Sequence, residues 1–152
     1  MIEIIPYEDK YQPDFYKLNI EWLDKYNLTE SGDLEVLHDP SATITERGGY
    51  IWLAKDADKI VGTAGIINEG HGQFELAKMA VDPEYRGKGI SKMLIEICIQ
   101  KAKEIKAEKL ILFSNHQLLT ALKLYEKYGF KHVEVKDSPF LTADVKMELD
   151  IA

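Results

Sequence analysis

The chain has 152 residues, about one domain's worth, of which 45% are hydrophobic and 30% charged, with 10 Gly and 5 Pro. That balance excludes a disordered, collagen-like or low-complexity chain, and the length suffices to bury a core without disulfide or metal staples. A formal net charge of −7, from 19 basic and 26 acidic residues, argues against nucleic acid or a membrane surface as partner, since both need a basic face.

The first residues, Met1-Ile2-Glu3-Ile4, are neither basic nor the start of an apolar signal segment. No apolar run approaches the roughly 18 residues of a spanning helix. The lone cysteine, Cys98, leaves no partner for an intramolecular disulfide, which points to a cytoplasmic location. No repeat or linker divides the chain, so a single domain over 1–152 is expected.

Ile2 to Ile5 reads as a short strand ended by Pro6. Phe15, Leu18, Trp22 and Leu23 recur at helical spacing and predict a helix over about Pro13 to Tyr26. A second short helix spans Asp33 to His38, stopped by Asp39-Pro40. Three strands follow as a meander: Gly49 to Ala54, Lys59 to Asn68 and Gln73 to Val81, with turns at Asp56-Ala57-Asp58 and Gly70-His71-Gly72.

The pattern then changes. Ile90, Leu94, Ile97, Cys98, Ala102 and Ile105 form an apolar stripe, so Gly89 to Ile105 is a helix. Lys109 to Phe113 is a short apolar run of the kind found in buried strands. Leu118 to Tyr128 is a helix stopped by Gly129. Phe130 to Val135 and Ala143 to Leu149 are two last strands, read as antiparallel neighbours. The order is that of a mixed α+β sheet containing one βαβ unit.

The segment Val81-Asp82-Pro83-Glu84-Tyr85-Arg86-Gly87-Lys88-Gly89-Ile90-Ser91 joins a strand to a helix. Bare amides at a helix start bind phosphate oxygens, and Gly87 and Gly89 keep bulky side chains away from them. Arg86 and Lys88 add positive charge. The loop is therefore a candidate diphosphate site, although a glycine-containing βα turn is also common. It fits neither the Walker loop nor the dinucleotide G-x-G-x-x-G, since Lys92 lies three residues beyond Gly89.

Here the sequence resembles a known family. Arg86-x-x-Gly89-x-Ser91 is similar to the R/Q-x-x-G-x-G/A signature of the GNAT N-acetyltransferases, with Ser91 where Gly or Ala is usual. Asn115, Ala121, Leu124-Tyr125 and Tyr128-Gly129-Phe130 resemble the family's second motif. The resemblance covers residues 2 to 149. It implies a mixed, mostly antiparallel sheet of about six or seven strands flanked by about four helices, with splayed strands around an acyl-CoA site.

The activity it implies is transfer of acetyl from acetyl-CoA, the cosubstrate, to a primary amine, with no metal. The amides of Arg86, Gly87, Lys88, Gly89, Ile90 and Ser91 would hold the diphosphate. The backbone of Met79 and Val81 would pair with the pantetheine arm, and the Met79 N–H would face the developing oxyanion. The resemblance implies Tyr125 as general acid near the CoA sulfur, a fitting role for a phenol with a pKa of about 10; a core tyrosine is the alternative.

Glu75 shares a strand face with Ala77, Met79 and Val81 by the period of 2, and a carboxylate among apolar neighbours suits a general base. An exposed strand end, with a water chain as base, is the other reading. Asn115 either bonds the pantetheine arm or caps the next helix. Tyr128 is a packing residue. His116 reads as a surface loop residue, and His38, His71 and His132 show no metal spacing with one another or with Cys98, a buried filler.

Residues 1–48 hold 11 acids and 4 bases, so the whole charge excess lies in the first third and the remainder is neutral. In this fold those residues would wall the acceptor pocket. Trp22, Tyr26 and Tyr50 could supply aromatic contact there. Glu21, with Asp24, Glu30, Asp33 and Glu35, could attract a small, cationic amine, unless these acids are solvated helix faces. A non-catalytic CoA-binding domain and a transferase using another acyl-CoA are the rival readings. The resemblance also implies a possible homodimer through sheet edges or through Ala143 to Leu149.

Overall fold

The computed structural model describes residues 1–136, 138 and 140–151. Seven strands form one sheet: β1 (Ile2–Pro6), β2 (Tyr50–Asp56), β3 (Lys59–Gly70), β4 (Gln73–Val81), β5 (Lys109–Ser114), β6 (Lys131–Val133) and β7 (Val145–Asp150). Their spatial order is β1-β2-β3-β4-β5-β7-β6. Every neighbouring pair is antiparallel except β4 and β5, which are joined by the helix-containing crossover that a parallel pair requires.

The helices are α1 (Gln12–Lys25), α2 (Ser31–His38), α3 (Pro40–Thr43), α4 (Ile90–Glu104) and α5 (Leu119–Lys127). The expected α+β mixed sheet is therefore present, with element ends displaced by a residue or two. The one helix not anticipated is α3. Pro40 does stop α2, but a proline also suits a first helical turn, and the Asp39 carboxylate accepts a hydrogen bond from the Ala42 N–H at 3.2 Å.

The twofold alternation of strand side chains builds a core on each face. Trp52 and Ala54 face α4 and α5, packing with Ile90, Leu94, Cys98, Ala102 and Leu122. Ile51 and Leu53 face α1 and α2, packing with Phe15, Leu18, Leu23 and Leu37. Phe15, Leu37, Leu53 and Leu94 are fully buried, and each such side chain stabilises the fold by about 1.5–3 kcal/mol.

The C-terminal strand differs from expectation in one respect. β7 is bonded to β5 on one side and, over Lys146 to Glu148, to β6 on the other, so that stretch is not a free edge. The edge at that end of the sheet is β6.

Candidate functional site

The site is built on an irregularity of β4. Gly65 pairs with Ala77 and Thr63 with Ala80, so Lys78 and Met79 together oppose the single residue Ala64. This is a β-bulge, with Lys78 in the left-handed region at φ 53°. Buried polar groups hold it. The Thr63 hydroxyl donates to the Lys78 carbonyl at 2.8 Å and accepts from Asn19 Nδ2 at 3.0 Å, and the same Asn19 nitrogen donates to the Phe15 carbonyl at 2.9 Å.

The bulge corrects the expected strand face. Met79 and Val81 pack into the α4 side with Phe74 and Leu76, whereas Lys78 and Ala80 face the α1–α2 side. Glu75 therefore does not share a face with Met79 and Val81. A strict period of 2 fails wherever one residue is inserted into the ladder.

The second irregularity is a parting of strands. β4 and β5 pair only from Gln73 to Glu75, against Lys109 to Ile111. Beyond Glu75 the two strands diverge, and a cleft of ≈ 780 Å³ opens between them. Its walls include Met79, Val81, Leu112 and Asn115 along the strands, residues of the 86–92 loop, and Tyr125 on α5.

At one end lies the loop before α4. Gly87 and Gly89 have φ of 78° and 79°, and a Cβ on either would meet nothing within 4 Å. Glycine is needed there for backbone conformation, and the space above both is open. The N–H groups of Gly87, Lys88 and Gly89 have no acceptor among the described residues, and those of the first turn of α4 are orphaned by helix geometry. Arg86, Lys92, Lys123 and Lys127 line the same end, Lys88 lies in the loop with its ammonium 5.3 Å from the Tyr85 ring centroid, and none of these is in an ion pair among the described residues. A cradle of open amides ringed by cations suits a diphosphate.

Tyr125 packs against Phe130, ring centroids 5.9 Å apart, and lines the cleft. Burial raises its phenol pKa, so the hydroxyl keeps its proton through neutral pH. Glu75, at the last paired position of β4, also lines the cleft and is only 5% exposed. Burial pushes its carboxyl up to about 8; the Glu69 carboxylate adds to this and the Lys78 ammonium opposes it.

Asn115 is buried, and both ends of its amide are engaged. Nδ2 donates to the Thr142 carbonyl at 2.8 Å and Oδ1 accepts from the Gln117 N–H at 3.0 Å. These bonds hold the turn before α5 and do not cap that helix, whose N-cap residue is Leu118 with no side-chain cap bond, and Asn115 still lines the cleft. Tyr128 donates to Glu96 at 2.9 Å on the protein's outside. Cys98 is fully buried with its thiol pKa raised, so it is inert. His116 is exposed beside Asp144, away from the cleft lining.

The other end of the cleft departs further from expectation. Trp22 and Tyr26 line it, but Glu21 is exposed and outside the lining. Tyr50 stacks on Trp52 at 5.9 Å beneath Lys101 of α4, on the opposite face of the sheet. Of the acids in the first third, only Asp33 lines the cleft, and it is buried in an ion pair with Lys78. Glu30 is occupied too: its carboxylate accepts from the Leu141 N–H at 2.9 Å, the Thr142 N–H at 2.8 Å and the Thr142 hydroxyl at 2.5 Å.

Lys78, Phe140 and the Glu30 clasp were not foreseen as site features. One signal was available: Lys78 is the single cation in the run Phe-Glu-Leu-Ala-Lys-Met-Ala-Val, where a central strand does not normally carry one.

Comparison with known proteins bears on this geometry. A family model described as "Acetyltransferase (GNAT) domain" matches residues 47–132. N-acetylaspartate synthetase of Xenopus tropicalis is 35% identical over 120 residues, 78% of this chain and 42% of that protein. The uncharacterized N-acetyltransferase YvbK of Bacillus subtilis is 29% identical over 128 residues, 82% of each chain. The chain spans only 41%, 42% and 52% of the length of three curated relatives that it matches.

Among solved structures, a GNAT-family acetyltransferase of Staphylococcus aureus superposes with a TM-score of 0.93 at 24% identity, covering 100% of both chains. The PaiA N-acetyltransferase of Thermoplasma acidophilum, solved with coenzyme A, superposes at 0.77 with 16% identity, covering 99% of each.

Proposed function

This chain belongs to the GNAT acetyltransferase family, and from that premise we propose that it moves the acetyl group of acetyl-CoA to a primary amine by direct attack. The observation that carries the reading is that one cleft joins the open amides from Gly87 to Ser91 (the Arg86 N–H, expected among them, donates to the Pro83 carbonyl instead), the unpaired edge of β4, a protonated phenol and a buried carboxyl. Bound acetyl-CoA would supply the activated acyl group as a thioester.

The chain's own residues divide the remaining work. The amides of Gly87 to Ser91, with Arg86 and Lys88, hold the diphosphate. The edge of β4 beyond Glu75 takes the pantetheine arm as a strand would, and the Met79 N–H faces the thioester oxygen. The Glu75 carboxylate accepts the amine proton, directly or through water, from the α1–α2 side. The Tyr125 hydroxyl gives its proton to the departing sulfur from the α4–α5 side. Base and acid approach from opposite faces, so neither neutralises the other.

The test has two readouts. Acetyl-CoA at about 100 times its Kd should raise Tm by roughly 5–10 °C for a domain of this size. Thiol release against a broad amine panel should then find a turned-over acceptor. Tyr125→Phe should lower that turnover by about 100-fold while leaving the Tm shift nearly intact. No shift at millimolar acetyl-CoA overturns the CoA assignment, and unchanged turnover in the variant across pH 6 to 9 removes Tyr125 as the acid.

A further inference from the structure

The acceptor end of the cleft is closed by a ring of contacts that joins three distant segments. Glu30, at the start of α2, holds the backbone of Leu141 and Thr142. Asp33 Oδ2 accepts from the Glu30 N–H at 2.9 Å, and Asp33 Oδ1 accepts from Lys78 Nζ. The Lys78 ammonium in turn lies 5.4 Å from the centroid of the Phe140 ring, next to the residues that Glu30 grips. The bulge in β4 is what turns Lys78 into this ring, on the same side of the sheet as Asp33.

Lys78 is left short of partners. An ammonium has three N–H donors and no acceptor. Among the described residues one donor meets Asp33, and the Phe140 ring face takes the place of a partner on another side. The side chain is only 6% exposed, so bulk water does not complete its set. What lies before it is the cleft, which it lines together with Glu75, Trp22 and Tyr26. Asp33 already balances its charge. The site therefore lacks an oxygen to accept a hydrogen bond, not a counter-ion.

We propose that Lys78 holds the carbonyl or carboxylate oxygen beside the reacting amine of the acceptor, making this a transferase selective for α-amino carbonyl compounds over plain alkyl amines. This rests on the acetyl-transfer reading and specifies its acceptor. Lys78 immediately precedes Met79, whose N–H faces the thioester in that reading, and follows Glu75 by three residues. All three line the same cleft. Trp22, Tyr26 and Phe140 would enclose the acceptor's side chain. The nearby Glu75 and Asp33 carboxylates make a neutral amide carbonyl at least as welcome as a second anion.

The experiment compares matched trios of acceptors: an amino acid, its carboxamide and its decarboxylated amine, for instance phenylalanine, phenylalaninamide and phenethylamine. Thiol release gives kcat/KM, referred to the free-base concentration of each amine. At least one carbonyl-bearing member should exceed the decarboxylated amine by about tenfold or more, since a donor left unpaired penalises the analogue that lacks the oxygen. The acid-to-amide ratio separates a free amino acid from an amide-linked acceptor.

The double variant Asp33→Asn/Lys78→Met removes both charges together, so no unpaired ion stays buried, and should bring the ratio of carbonyl-bearing to plain amine to about one. Lys78→Arg should keep part of it. Decarboxylated amines acetylated as well as their parents overturn the proposal in the wild-type protein alone, as does a ratio that survives in the double variant. Turnover of other amines with none from the trios overturns it while acetyl transfer stands. No thiol release with any amine, in protein that acetyl-CoA still stabilises, overturns the transfer reading and this one with it.

Discussion

Glu75 and Tyr125 enter the cleft in the protonation states that burial favours, and those states make opposite demands on pH. For Glu75 to accept a proton it must first ionise, and with its carboxyl pushed up to about 8, activity should climb as pH rises through that value. In Glu75→Gln the inflection near pH 8 should vanish and turnover fall by 100-fold or more. An unchanged pH profile in that variant would assign deprotonation to water. Stability moves the other way. A carboxyl whose pKa is higher folded than unfolded favours the fold fully below its unfolded value. That contribution is lost as pH rises from about 4.5 through about 8. Urea titrations of the wild type should show this loss, and the glutamine variant should lack it. Glu75 was legible in the sequence as a lone carboxylate on an apolar strand. Lys78, three residues on, was not, because its meaning depends on Asp33 and Phe140, 45 and 62 positions away in the chain.

Individual elements were read well where periodicity governs them, and β4 is the instructive failure. Its ends were read correctly from composition and turns. Its faces were not, because the inserted residue is a lysine at positive φ where a sequence reader would look for glycine. The bulge is imposed from outside the strand, by Thr63 and Asn19. Thr63→Val keeps the shape and removes the hydroxyl, leaving the Lys78 carbonyl and one Asn19 donor bond unmet. It should destabilise the protein by about 1–3 kcal/mol in urea unfolding. A loss of under half a kcal/mol would show that the bulge is held by packing alone. The same limit applies to Glu30, whose clasp on Leu141 and Thr142 joins segments 111 and 112 residues apart.

Across the molecule, charge is sorted by face. The acidic first third walls the cleft, yet only Asp33 among its acids lines it, neutralised by Lys78. The opposite end carries Arg86, Lys92, Lys123 and Lys127. A protein of net charge −7 thus presents a cationic mouth where a polyanion would enter. Coenzyme A affinity should weaken steadily as salt is raised from 50 to 500 mM, because exposed charges are screened beyond a Debye length of about 10 Å or less at 0.1 M and above. An affinity independent of salt, measured by calorimetry, would show that the backbone amides alone hold the diphosphate. The uneven charge along the chain was visible at once. Its sorting by face was not, since Asp14, Glu21, Asp24 and Glu35 turn outward while Asp33 turns in, and only the packed structure fixes that.

The parting of β4 and β5 has a mechanical side. Among the described residues three ladder pairs, Gln73 to Glu75 against Lys109 to Ile111, with the Gly72 carbonyl at their end, stitch the sheet between β4 and β5, joining the four-stranded half β1–β4 to the three-stranded half β5–β7–β6. The sheet is a torn fabric with a short seam. A ligand that lies along the tear and bonds the edge of β4 replaces the missing stitches. Binding would then stiffen the protein as a whole.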